Sequence, residues 1–486
     1  MRQRFPIFIT AIFICTNLFA QNDNKGYAIT LVTNYPDSTL FLGSYYGKKM
    51  IVIDSIKANE KGEAVFTGDT KLPSGIYFGV SPDKRIKLYE FLVDDIQHFT
   101  IKEKTAKPGI IESKGSPDNE LFAAYTDFVN DASVKINNLQ QSIKTAATKD
   151  DSTRINVELR AEGNKIFDYR TQVMNNNPNS LLSRLLQIAQ VPEAPPMPIL
   201  ANGKKDSLYP FYYIKDHYWD GVDFYNELCL RTPFFEPKLD DYFKYYISPD
   251  PDSVIAAVNY ILLSARESDD MFRYLLGKFT DKYINPTYMG QDKVFLFLFE
   301  NYFARGDTGW LSDKQKKYIF DRGYSLMANQ LGDFAPQLTV NDTLGKTISL
   351  YQIKSPYTFV AFWDPHCSHC QIQVPRVDSF YKAKWKGEGV TVLSVCVNND
   401  VLADWKKFIN EKNLQGWIHT YEPDEITNAQ EKAGQATFHQ LFDIVQTPTF
   451  YLLDADKRII AKSLSIDQFD ALLDNKIKMQ STLSNQ

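Results

Sequence analysis

The sequence predicts a multidomain chain with a small all-β N-terminal domain, an all-α middle region and a C-terminal α/β domain. Three observations carry that reading. Short apolar runs of period two, punctuated by turns, fill the chain up to about residue 114. Apolar spacings of three and four follow from about 115 to 330, and strands alternate with helices from 331 to the end. At 486 residues the chain is too long for one ordinary domain, and its 44% hydrophobic content supplies several cores.

Residues 1–20 read as a signal peptide. Arg2 and Arg4 form a positive n-region, an apolar stretch runs from Phe5 to Phe19, and Leu18-Phe19-Ala20 offers a cleavage site before Gln21. The apolar run is shorter than the roughly 20 residues a spanning helix needs. Ile14 stands before Cys15 where a lipoprotein signal wants a small residue, so lipid attachment is not expected. No later segment resembles a transmembrane helix. The mature chain is therefore expected to be soluble after export, with no stable membrane insertion.

Residues 21–114 read as a β-sandwich-like domain. Strands are expected near 27–32, 39–43, 50–56, 63–68, 76–80, 87–93 and 98–102, separated by turns such as Asn59-Glu60-Lys61-Gly62 and Pro73-Ser74-Gly75. Residues 115–330 read as a helical domain. Helices are expected over 119–130, 132–175 and 180–190, then, past a proline-rich break at 191–198, over 253–265, 269–283, 292–305 and 312–329. Aromatics crowd this region, but at helical spacing they read as core. The formal net charge is −5 and no basic stripe accompanies them, so nucleic acid is not an expected partner.

Residues 331–486 form the α/β domain. Leu331-Gly332-Asp333-Phe334-Ala335-Pro336 marks its entrance. The expected order is strand 358–363, helix 367–384, strand 390–397, helix 403–410, a short helix at 436–442, a hairpin of 449–454 with 458–462, and a helix from 466.

Chemistry concentrates in His366-Cys367-Ser368-His369-Cys370. Four cysteines remain beyond the signal peptide, too few for a disulfide framework in a chain this large. Two of them sit in one C-x-x-C, whose ring is too small to staple distant elements, so its use is chemical. A strand ends at Trp363 and a helix starts at Cys367, where free N–H groups and the dipole favour a thiolate. Cys370, nearly one turn on, is placed to resolve a mixed disulfide formed at Cys367.

These residues resemble the thioredoxin superfamily, in particular its exported TlpA/ResA-like branch, over about 332–473. The resemblance rests on Gly332-x-x-Ala335-Pro336, Phe362-Trp363, the C-x-x-C, Pro375 and Thr447-Pro448-Thr449-Phe450. It implies a thioredoxin-like fold and a redox-active disulfide with no other cofactor. It also implies a cis-proline at Pro448 against the cysteines, and a substrate groove formed by Trp363, Thr447 and Pro448. Cysteine-containing exported proteins and a separate redox partner are the implied partners. The N-terminal regions look like the β and helical domains that precede this module in large envelope proteins of gut-type bacteria. That likeness implies the periplasm or cell envelope of a Gram-negative bacterium.

Departures from the family pattern matter as well. Ala361 stands where cytosolic thioredoxins bury an aspartate, and Gln373 where cytochrome-maturation relatives carry a glutamate. His366 replaces a common aromatic. His369, in the second variable position, is expected to stabilise the Cys367 thiolate together with His366 and so raise the reduction potential.

Two other readings stay open. One is an envelope binding or scaffold protein whose redox site is secondary. The other is copper handling by His366, Cys367, His369 and Cys370, although four ligands crowded onto one helical turn suit a metal poorly. A peroxidase would need a Thr at position 363, which is Trp.

Overall fold

The computed structural model describes residues 26–484, so the expected signal peptide lies outside the described residues. Two compact units emerge, one running to Tyr242 and one from Phe243. The helical region is therefore shared between them.

In the first unit, β1 (Tyr27–Val32), β2 (Thr39–Tyr46), β3 (Lys49–Lys57), β4 (Glu63–Gly68), β5 (Gly75–Val80), β6 (Lys87–Val93), β7 (His98–Glu103) and β8 (Ile111–Lys114) make two four-stranded sheets. Their orders are β4-β1-β7-β8 and β3-β2-β5-β6. Pairing is antiparallel except between β1 and β7, which run parallel. Alternate residues such as Ile29, Leu31, Leu40, Leu42, Phe91 and Phe99 fill a common core.

Helices α1 (Pro117–Lys144) and α2 (Lys149–Asn176) follow, where the sequence suggested one long stretch after residue 132. The break falls at Thr145-Ala146-Ala147-Thr148, which contains neither Gly nor Pro. Its signal is the cap, because the Thr148 hydroxyl accepts the Asp151 N–H. Asn119 ties α1 to the sandwich by exchanging two hydrogen bonds with the Leu92 backbone, at 2.7 and 2.8 Å. Helices α3 (Leu181–Ala189), α4 (Tyr209–His217) and α5 (Phe235–Tyr245) complete this stretch.

The second unit begins with α6 (Pro251–Ser264), α7 (Asp269–Tyr283), α8 (Asp292–Asn301) and α9 (Asp313–Met327). Their aromatics are core, as Phe279, Phe295 and Phe299 are almost fully buried.

The rest of the unit is built on β9 (Thr339–Asp342), β10 (Thr347–Ser349), β11 (Tyr357–Trp363), α10 (Ser368–Phe380), β12 (Val390–Cys396) and α11 (Leu402–Glu411). After these come β13 (Ile418–Tyr421), α12 (Asp424–Lys432), α13 (Phe438–Leu441), β14 (Thr449–Leu453), β15 (Ile459–Lys462) and α14 (Ile466–Ser484). The sheet order is β10-β9-β13-β12-β11-β14-β15, with β11 parallel to β12 and antiparallel to β14.

Every residue of the central strand β11 is buried. Phe359, Ala361 and Trp363 point to one face, against Val374 and Val377 of α10 and Phe469 of α14. Val360 and Phe362 point to the other, against Phe438, Phe442 and Tyr451. A strand covered on both faces reads as a continuous apolar run, as Tyr357–Trp363 does.

Candidate active site

At the C-terminal end of β11 the chain turns through Asp364 and Pro365 into α10. The turn is braced from both sides. Asp364 accepts the His366 N–H through Oδ1 at 2.7 Å and the Asn398 amide through Oδ2 at 2.9 Å. The Gln371 side chain donates to the Pro365 carbonyl at 2.9 Å. Both carboxylate oxygens of Asp364 are thereby held by the turn and by β12's end.

Cys367 is the N-cap of α10, with extended backbone (φ −74°, ψ 121°), and Ser368 is the first helical residue. The expected helix start at Cys367 is thus displaced by one residue, which leaves the sulfur at the cap position, facing the first-turn amides. Cys367 is partly exposed and Cys370 is fully buried. All four described cysteines are free thiols.

Thr447–Pro448 is a cis peptide, and the Cys367 Sγ–H donates to the Thr447 carbonyl at 3.2 Å. The proline loop and the cysteine pair therefore meet across 80 residues of sequence.

The two thiols differ in acidity. Burial pushes Cys367 up, but a hydrogen bond from the Thr447 side chain, the Cys370 amide and thiol and the His369 amide outweigh it, and the pKa lies below the ordinary 9.0. The Thr447 carbonyl opposes them, since it holds the protonated thiol. No first-turn N–H makes a cap hydrogen bond to the Cys367 sulfur. The amides of His369 and Cys370 at the second and third helical positions face it all the same, where an N-cap acceptor is normally read. Cys370 is pushed up to about 12, chiefly by burial.

The other expected site residues divide. His369 is exposed, and its backbone amide is among the groups that lower the Cys367 pKa. The His366 ring is also exposed, and its Nε2 lies 2.9 Å from Asp404 of α11.

Trp363 does not line a groove. It is fully buried, packs on Phe408, and donates its indole N–H to Ser394 at 2.7 Å. The alternation of β11 puts position 363 on the same face as Phe359 and Ala361, the face packed against α10 and α14.

Asp404, Asn398 and Ser394 were not found by sequence reasoning. Nothing local marks them, since each reaches its partner only through the β11–β12 pairing or the following helix. Among the described residues no three His, Cys, Asp or Glu side chains gather as metal ligands would. His419, elsewhere in the domain, meets the Leu414 carbonyl at 2.8 Å.

Comparison with known proteins adds to this geometry. Residues 331–462 match the AhpC/TSA family, and residues 167–327 match a domain of unknown function, DUF5106. The thiol-disulfide oxidoreductase ResA of Bacillus thuringiensis (strain Al Hakam) is 26% identical over 152 residues, covering 31% of this chain and 73% of that protein. ResA of Bacillus subtilis (strain 168) is 33% identical over 72 residues, 15% of this chain and 40% of that protein. A solved thioredoxin-like protein from Bacteroides caccae overlaps 57% of this chain and 96% of its own length, at 20% identity and a TM-score of 0.44. The family match, the ResA relatives and the seven-stranded sheet with its cysteine turn agree. The C-terminal region of this chain is thus similar to the TlpA/ResA-like thioredoxin-like thiol–disulfide oxidoreductases, and β and helical domains precede it.

Proposed function

We propose that the chain exchanges disulfides with cysteine-containing exported proteins through Cys367 and Cys370. In the reducing direction the Cys367 thiolate attacks one sulfur of a partner disulfide. The partner's S–S bond breaks, its other sulfur leaves as a thiolate that takes a proton from solvent, and a mixed disulfide links Cys367 to the partner. Cys370 then gives up its proton and attacks Cys367 Sγ, expelling the partner's remaining thiolate. Two electrons have passed to the partner, and a Cys367–Cys370 disulfide remains. Oxidation of a dithiol partner runs the same steps backwards, and a separate redox partner resets the pair.

The observation that carries this assignment is the asymmetry of the two thiols. Cys367 is accessible, sits at a helix cap and has a lowered pKa, while Cys370 is enclosed with its pKa near 12. Nucleophilicity follows the thiolate fraction and access, so the first attack falls to Cys367. Cys370→Ser should accumulate mixed disulfides with partner proteins and Cys367→Ser should not. Equal trapping by the two variants would overturn the assignment.

The same reading places the mature protein in the periplasm or cell envelope of a Gram-negative bacterium, released by cleavage after Ala20. Among the described residues no helix is long and apolar enough to cross a membrane. Intact mass of material purified from the envelope tests this. A mass that retains residues 1–20, or an added acyl group, contradicts it.

A further inference from the structure

The Thr447 carbonyl that meets the Cys367 thiol belongs to a loop with little packed around it. Val445 and Gln446 are exposed, and Gln446, Pro448 and Thr449 border a cavity of about 420 Å³. Solvent and a void offer few partner atoms, so such a loop takes its position from its two ends. The far end is the sheet, where Thr449 pairs with Phe362 of β11.

The near end is the turn after α13, and three successive residues there are tied down. The Leu441 carbonyl accepts the Asn329 side-chain amide at 2.9 Å, and the Phe442 carbonyl accepts the Tyr451 hydroxyl at 2.7 Å. The Asp443 carboxylate pairs with Arg322 of α9. Two of the three ties thus come from α9 and the residues just past it, ahead of the sheet of the redox domain in sequence. Both partners are firmly set, with Arg322 8% exposed and Asn329 fully enclosed. Lys462 fixes Asn329 in turn, donating to its side-chain oxygen at 2.7 Å and to Asp292 at 2.6 Å.

Asp443 has φ +48°, in the left-handed region that few non-glycine residues adopt. A backbone of that kind persists where its surroundings over-determine it. The Arg322 guanidinium supplies such a constraint, four residues before Thr447.

We propose that Arg322 is a positioning residue for the redox site, holding Asp443 so that the turn at 441–443 delivers Thr447 to Cys367. The inference rests on Cys367 being the attacking thiol. The helical segment then acts on the sulfur through fixed contacts, from α9 to Asp443, along the exposed loop to Thr447, and from Thr447 to the thiol. Releasing the clamp lets the loop drift and takes Thr447 off the sulfur. Water replaces the carbonyl on the protonated thiol. Burial raises the Cys367 pKa and Thr447 heads the groups that lower it, so its departure raises that pKa.

The test follows the thiolate absorbance of Cys367 against pH in the full chain carrying Cys370→Ser. Arg322→Met combined with Asp443→Asn removes both charges together, and asparagine suits the left-handed turn. In that combination the Cys367 pKa should rise by about half a unit, which is an about threefold smaller thiolate fraction below it. Asp443→Asn alone should give a smaller rise in the same direction. Phe279→Leu loosens the packing of α7 on Phe243 and leaves the turn untouched. It should lower stability to denaturant and keep the native Cys367 pKa.

A native pKa in the folded combination would overturn the proposal, and so would an equal rise in Phe279→Leu, since lost stability alone would then explain it. Should the combination not fold, an unchanged pKa in Asp443→Asn counts equally against it. Failure of the native chain to reduce bis-hydroxyethyl disulfide would instead overturn the disulfide-exchange reading and leave the clamp standing.

Discussion

The agent that acidifies Cys367 can be identified by substituting His369 in two ways. His369→Ala removes the imidazole and keeps the amide, whereas His369→Pro removes both. Proline is tolerated in the first turn of a helix, so α10 should persist in each variant. Because the His369 amide acts on the sulfur and the imidazole is exposed, the two variants should separate. A hydrogen bond to a charged acceptor contributes about 1.5–3 kcal/mol, which falls to about 1 kcal/mol at a half-open, solvent-screened sulfur. At 1.36 kcal/mol per unit, losing it should raise the Cys367 pKa by about 0.7.

The corresponding potential shift has a definite sign and window. Below the native Cys367 pKa both thiols are protonated in native and variant chains alike, and the potentials coincide. As pH rises through that pKa, the native dithiol loses a proton that the variant keeps. The native reduced form is therefore the more stabilised, and the variant becomes less oxidising. Above both pKa values the gap is complete, at about 30 mV per pKa unit, or about 20 mV for His369→Pro. Thiolate absorbance in a Cys370→Ser background gives the pKa, and equilibration with glutathione buffers across pH gives the potential. If His369→Ala shifted both as far as His369→Pro, the imidazole would be the agent and the amide argument would fail.

Other consequences are open to simpler measurements. Alkylation of Cys367 should rise with pH through an inflection below 9, with Cys370 unreactive until denaturation, since burial holds its pKa near 12. Labelling both cysteines at the same rate in the folded chain would contradict this. Cys396→Ala should leave disulfide exchange intact, because that thiol is buried, pushed up to about 12 and turned to the Asn398 carbonyl. A several-fold loss of exchange would bring it into the mechanism. Trp363→Phe should cost about 1–3 kcal/mol in denaturant unfolding by stranding the Ser394 hydroxyl, with exchange rates nearly unchanged. A specific loss of peptide exchange would return Trp363 to the groove. Lys462→Met should destabilise the second unit by about 3–5 kcal/mol by leaving Asp292 buried without its cation, and adding Asp292→Leu should recover much of it. No recovery would show that Asp292 is held by more than that pair.

The parts of the fold that were legible are those with a local physical signal. Tyr357–Trp363 reads as a buried strand because both its faces are covered. The hairpin of β14 and β15 announces itself through Ala455-Asp456-Lys457, and the helices from α6 to α9 through their apolar spacing. The short strands β9, β10 and β13, of three or four residues each, escaped. Such strands exist because a neighbour offers them hydrogen bonds, and Ile418-His419-Thr420-Tyr421 pairs with β12 without any periodicity long enough to read. The parallel β1–β7 pairing was equally hidden, since strand patterning tells which face is inward but not which strand lies beside it.

At the site, sequence located the cysteine pair and the proline loop that the fold brings together, which are carried by spacing and turn chemistry. It did less well on roles that depend on where a side chain points. His366 turns to Asp404, and Trp363 obeys the alternation of β11 and goes inward to Ser394. In each case the deciding partner lies more than 30 residues away, on an element whose neighbourhood is settled only by sheet order. The thiolate is a sharper instance. An imidazole two residues from the sulfur invites a side-chain explanation, yet the same residue contributes a backbone N–H at the second position of the helix. That amide is among the groups that lower the Cys367 pKa. Acidity at this cysteine then follows from where the helix begins, which the turn at Asp364-Pro365 dictates. The variable residues of the motif act first through the amides they supply.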